Sequence, residues 1–133
     1  MKHLLVTNDF PPKVGGIQSY LYELWRRLPP EETHVLTTSY PGAADWDAAQ
    51  RFSIERTRQR VLLPAPGLAR RVDGIARDRG ADVIFLDPAL PLGLIGRRLR
   101  AAPHESAIVA ATRPPRSSGR RATTMRTHRI SLP

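Results

Sequence analysis

Val6-Thr7-Asn8-Asp9-Phe10-Pro11-Pro12-Lys13-Val14-Gly15-Gly16-Ile17-Gln18-Ser19-Tyr20 changes character twice in one short stretch. Its first residues close an apolar, β-rich run from Lys2 to Thr7. Asn8-Asp9 and two prolines follow, and proline cannot continue a paired strand or the interior of a helix. After Gly15-Gly16 the apolar residues Ile17, Tyr20, Leu21, Leu24, Trp25 and Leu28 recur at steps of three and four, with Glu23, Arg26 and Arg27 between them. Strand, loop and amphipathic helix is the reading, with Pro29-Pro30 as the stop. The stripe assigns Tyr20 and Trp25 to the core and leaves Tyr22 exposed.

The pattern repeats outward. His34 to Thr38 reads as a second strand. The Pro41-Gly42 turn and a polar stretch from Asp45 to Arg51 lead to a third extended piece at Phe52 to Arg56. Leu68, Val72, Ile75 and Ala76 predict a second helix with Gly80 as its C-terminal stop. Ala81 to Leu86 lacks polar alternation after Asp82, as expected for a parallel strand buried on both faces. Leu90 to Leu99 predicts a third helix, and Ser106 to Thr112 a last strand. Alternating strands and helices imply an α/β fold with a parallel sheet and right-handed crossovers.

A chain of 133 residues has room for one domain. With no cysteine, disulfides, thiolate metal sites and thiol nucleophiles are excluded. His3, His34, His104 and His128 show no metal-ligand spacing, and Asp9, Asp45, Asp47 and Asp87 no spacing of a catalytic carboxylate pair. The sequence therefore calls for no metal and no cofactor, and assigns no catalytic residue. No apolar run reaches the roughly 20 residues of a membrane span, and Asn8-Asp9 arrives too early for a signal-peptide core, so a cytoplasmic protein is expected. Of the net charge of +9, six charges lie between Arg113 and Pro133, a stretch with six arginines and no acid.

In parallel sheets ligands bind beyond the carboxyl ends of the strands, where the loop Asn8 to Gly16 lies. Gly15 and Gly16 lead into a helix whose free N–H groups and dipole favour a phosphate, and Lys13 adds charge. The competing reading is a plain tight turn before a helix. The loop matches neither the Gly-x-Gly-x-x-Gly nor the Walker pattern.

The whole string from Val6 to Tyr20 resembles the first strand, loop and helix of family-four glycosyltransferases of the GT-B fold, most of all the actinobacterial phosphatidylinositol mannoside mannosyltransferases. Asp45-Trp46-Asp47-Ala48-Ala49-Gln50, Leu63-Pro64 and Asp82-Val83-Ile84-Phe85-Leu86-Asp87-Pro88 extend the resemblance over about residues 1–112. It implies an incomplete, Rossmann-like N-terminal (acceptor-side) domain over 1–112. The family's role would be transfer of mannose from GDP-mannose to a phosphatidylinositol mannoside-type glycolipid, with retention. By position, Gly15 and Gly16 match the glycine pair at the donor diphosphate. Gln18 matches a position facing the acceptor head group, or else is a solvent-exposed polar residue of the first helical turn. Asn8 and Asp9 would line the acceptor pocket, or act as turn formers bonding their own backbone, the reading preferred for Asn8. Arg26, Arg27, Arg70 and Arg71 either contact acidic lipid at the inner face of the plasma membrane or form a solvated face.

Family members continue after the last strand with a histidine-glycine catalytic loop and a second domain, whereas here Thr112 is followed by Arg113-Pro114-Pro115. The expectation is a truncated, frameshifted chain, inactive by itself, with a disordered tail over 113–133. The alternative is a non-catalytic basic binding or regulatory protein, for nucleic acid or a partner glycosyltransferase. The tail has no aromatic residue on which bases could stack, which disfavours nucleic acid.

Overall fold

The computed structural model describes residues 1–87, 92–101 and 106–110. Strands β1 (His3–Thr7), β2 (Thr33–Thr38), β3 (Ser53–Thr57), β4 (Val83–Asp87) and β5 (Ala107–Ala110) alternate with helices α1 (Gly16–Trp25), α2 (Ala43–Ala48), α3 (Pro66–Arg79) and α4 (Gly96–Ala101). Every strand pairing is parallel, and the order is β3-β2-β1-β4-β5. The chain thus starts in the middle of the sheet, builds outward through β2 and β3, then crosses back to add β4 and β5. This is the expected Rossmann-like α/β architecture. Its reversal point, between β1 and β4, is where such sheets open a crevice.

Alternation along the strands sorts the core into two layers. Leu4 and Val6 share one layer with Leu36, Ile84 and Leu86, closed by Ala69, Val72 and Ala76 of α3 and by Ile95 and Leu99. Leu5 and Val35 belong to the other, with Phe10, Phe52, and Leu21 and Trp25 of α1. Every residue of β2 is buried, although four of its six are Thr or His, because both faces are covered. Helix α3 opens with Pro66 in its first turn and ends at Gly80, whose φ of 63° is the left-handed conformation that suits glycine.

Three expectations change. Helix α1 stops at Trp25 rather than running to Leu28, because Arg27 and Leu28 N–H groups reach back to the Leu24 and Trp25 carbonyls in a tightened turn. The polar stretch after Gly42 contains α2, which is too short to show a helical stripe. Tyr20 and Tyr22 exchange places: Tyr20 is 47% exposed, whereas Tyr22 packs edge-on against Trp46 of α2 at 5.3 Å and donates to Gln50 Oε1 at 2.9 Å. The stripe put Tyr22 outside because it took only the sheet as a partner, and α2 covers that flank. The third helix is represented by a 3₁₀ turn at Gly93–Ile95 and by α4, and its predicted start at Leu90 lies outside the described residues. So do Ala111 and Thr112 of the last strand, and all of the tail over 113–133.

Candidate functional site

The loop between β1 and α1 leaves the carboxyl end of β1 beside the switch point, with Thr7 in register with Asp87, and both are buried. Its side chains hold it from within. The Thr7 hydroxyl accepts the Asp9 N–H at 3.0 Å, and Asp9 Oδ1 accepts Gln18 Nε2 at 3.0 Å, with Lys13 Nζ at 3.5 Å. Gln18 is only 7% exposed, so it is not a solvated first-turn residue; its amide braces the loop against α1. Asn8 does not bond its own backbone either. Its Oδ1 accepts the Leu62 N–H at 2.6 Å and its Nδ2 donates to the Leu62 carbonyl at 3.3 Å, joining the loop to the segment before α3.

The two glycines differ. Gly15 has extended backbone, and a Cβ there would run into Gln18 Oε1 and lie 3.0 Å from its Cδ. Its missing side chain makes room for the Gln18 amide that Asp9 holds. Gly15→Ala should therefore displace that amide and cost about 1–3 kcal/mol, measurable as a lower urea midpoint; an unchanged midpoint would mean that Gln18 is not braced as described. Gly16 opens α1, and among the described residues nothing outside its own helix and chain neighbours lies within 4 Å of where its Cβ would stand. Packing therefore does not require a glycine there. The first turn of α1 has no acidic residue and its N-cap makes no side-chain bond, so its amides and the positive end of the dipole face the loop.

Arg56, at the carboxyl end of β3, was not legible in the sequence as part of this region. Its guanidinium pairs with both Asp47 oxygens at 2.8 and 2.9 Å, and donates to the Thr38 carbonyl at 2.9 Å and the Pro11 carbonyl at 2.6 Å. The only signal was a charged residue at the end of an otherwise uncharged-and-acidic strand beside Asp45-Trp46-Asp47.

The arginines proposed for lipid contact are partly engaged. Arg26 and Arg27, just past the end of α1, pair with Glu23 of that helix at 3.0 and 3.1 Å, and Arg71 reaches Glu55 at 2.6 Å. Among the described residues no three His, Asp or Glu side chains group as metal ligands, and no helix is long and apolar enough to cross a membrane. A cavity of about 530 Å³ lined by Lys2, His34, Glu55, Ile75 and Arg79 opens at the amino ends of β1 and β2, away from the loop.

No family model matches the chain. Single proteins do. The chain is 37% identical over 115 residues to a GDP-mannose-dependent α-(1-6)-phosphatidylinositol monomannoside mannosyltransferase of Mycobacterium tuberculosis, covering 82% of this chain and 30% of that protein. The same figure of 37% over 115 residues holds for the enzyme of that name from Mycolicibacterium smegmatis, with 82% of this chain and 29% of the relative covered. A GDP-mannose-dependent monoacylated α-(1-6)-phosphatidylinositol monomannoside mannosyltransferase of Corynebacterium glutamicum is 35% identical over 113 residues, covering 84% of this chain and 29% of the relative. Over 82–84% of its length the chain is thus similar in sequence to these phosphatidylinositol monomannoside mannosyltransferases, and it spans about 30% of theirs.

Proposed function

We propose that this chain forms the acceptor-side part of a retaining mannosyltransferase that moves mannose from GDP-mannose to a phosphatidylinositol mannoside-type glycolipid. Gly16 carries the reading: a helix-opening glycine that the described packing does not require, at the amino end of the helix that follows the β1 loop. There the backbone of Gly15 and Gly16 can approach a diphosphate closely, and the helix dipole stabilises the negative charge that grows on the departing nucleoside diphosphate. Asp9, Gln18 and Asn8 line the acceptor side of the same loop. The Asp9–Gln18 bond and the Asn8 bonds to Leu62 fix its shape, so the ligand meets a preorganised surface rather than one it must order. The names of the relatives supply the substrate classes. The alternative of a nucleic-acid binder rests on residues 113–133 and gains no support from the described residues.

The test is a titration of the ¹⁵N-labelled chain with GDP-mannose and, separately, with myo-inositol 1-phosphate, the polar part of the lipid acceptor. Amide resonances of residues 14–18 should move with at least one of them. Gly16→Val should leave the urea midpoint within about 0.5 kcal/mol of the parent and abolish that response, since valine fills the space a phosphate would enter. Resonances that ignore both compounds, or a valine variant that responds like the parent, would remove the loop from the mechanism.

A further inference from the structure

We propose that Arg56 is the positioning residue of the β1–α1 loop: it sets where that loop stands relative to the sheet, and hence the geometry offered to the ligand. The inference deepens the proposed function and rests on its assignment of the ligand to this loop. Four segments meet at one guanidinium. Asp47 of α2 holds it in a two-pronged ion pair at 2.8 and 2.9 Å, and the carbonyl at the carboxyl end of β2, Thr38, fixes its other arm at 2.9 Å. With both anchors outside the loop, the remaining reach of Nη2 is to the Pro11 carbonyl at 2.6 Å, in the middle of the segment from Asn8 to Gly15.

The side chain is 11% exposed, so water competes little for these bonds and each is stronger than at the surface. Planarity matters as much as charge. A guanidinium can satisfy a carboxylate and two carbonyls in different directions at once, whereas the compact ammonium of lysine cannot span them. The start of the loop is tied by Asn8 to Leu62 and by Asp9 to Gln18 of α1, and the Phe10 ring packs against Trp46 and Phe52. Arg56 supplies the polar tie beyond them, at Pro11. Without it, the loop keeps its anchors as far as Phe10 and loses the polar tie at Pro11, which displaces the stretch from Pro11 to Gly16 without unfolding the sheet.

The experiment compares Arg56→Lys with the parent chain by amide resonances and by titration with GDP-mannose and myo-inositol 1-phosphate. The expected result is displaced resonances for residues 10–16, unchanged ones for β1 and β4, and an affinity for the responding compound lower by about tenfold or more, the scale set by small misplacements of a binding group. If Arg56→Lys lowers only the melting temperature and the folded loop resonances coincide with those of the parent, Arg56 is merely structural and the proposal falls. Should that variant not fold, Asp47→Asn takes its place. It leaves Arg56 present but less firmly held, and displaced resonances for residues 10–16 with β1 and β4 unmoved support the proposal, while unmoved loop resonances overturn it. A parent loop that ignores both compounds yet moves on Arg56→Lys sinks the proposed function and leaves the positioning role standing.

Discussion

Phe10→Ala is expected to lower the unfolding free energy by about 3–5 kcal/mol, the range for removing a large buried aromatic ring. Phe10 is 2% exposed and stands at the centre of an aromatic group, with ring centroids of Trp46, Phe52 and Tyr22 at 5.8, 6.2 and 6.4 Å, each near edge-to-face. Edge-to-face pairs add about 0.5–1.5 kcal/mol each beyond area burial, so the loss exceeds that of a solitary phenylalanine. The consequence is local as well as global. Phe10 belongs to the loop, between Asp9 and Pro11, and its ring pins that loop to α1, α2 and the start of β3. Urea denaturation of parent and variant at neutral pH gives the number directly. A difference below about 1 kcal/mol would show that the ring is not packed as described. A small domain holding about 5–15 kcal/mol in total would be brought near its threshold by this one change.

Legibility of the fold followed the length of each signal. The strand-loop-helix at Val6 to Tyr20, the α3 stripe with Gly80 and the unbroken apolar run of β4 each carry several residues of one period, and the structure has all of them. Helix α2 spans only Ala43–Ala48, less than two turns, and no period can be read from that. Missing α2 then misassigned Tyr22, because a helix face is buried or exposed by its neighbours and not by its own sequence. The site shows the same division. Gly15 and Gly16 announce themselves through composition, while Asn8–Leu62 and Arg56–Pro11 join residues 54 and 45 positions apart. Nothing in either local stretch encodes such partners, since the sheet order alone brings them together.

His34 makes stability depend on pH in a direction that can be worked out. The imidazole is 4% exposed within β2, and among the described residues neither ring nitrogen has a hydrogen-bond partner; Glu55 Oε2 lies 3.7 Å from Nε2, beyond hydrogen-bond distance. Burial first, and then the positive charge of Arg79, push its pKa down, Glu55 offsets part of this, and the net result is a fall from 6.5 to about 4. A depressed histidine pKa means that the folded state takes up the proton later than the unfolded chain. The stabilisation is therefore fully present above about pH 6.5 and is lost as pH falls from there to about 4. The whole difference amounts to about 3 kcal/mol, of which about 2 kcal/mol is gone by pH 5. Urea midpoints at pH 7.5, 6 and 5 should fall accordingly, and His34→Leu, which keeps the site apolar, should flatten the decline. If parent and variant lose stability in parallel, the acid sensitivity belongs to other groups and His34 is hydrated in the folded state. The same comparison separates two parts of the molecule. His34 sits toward the amino end of β2 and the loop with Gly15 and Gly16 at the carboxyl end of β1, so His34→Leu should change the pH profile while leaving the response of the loop to either compound at pH 7.5 as it was.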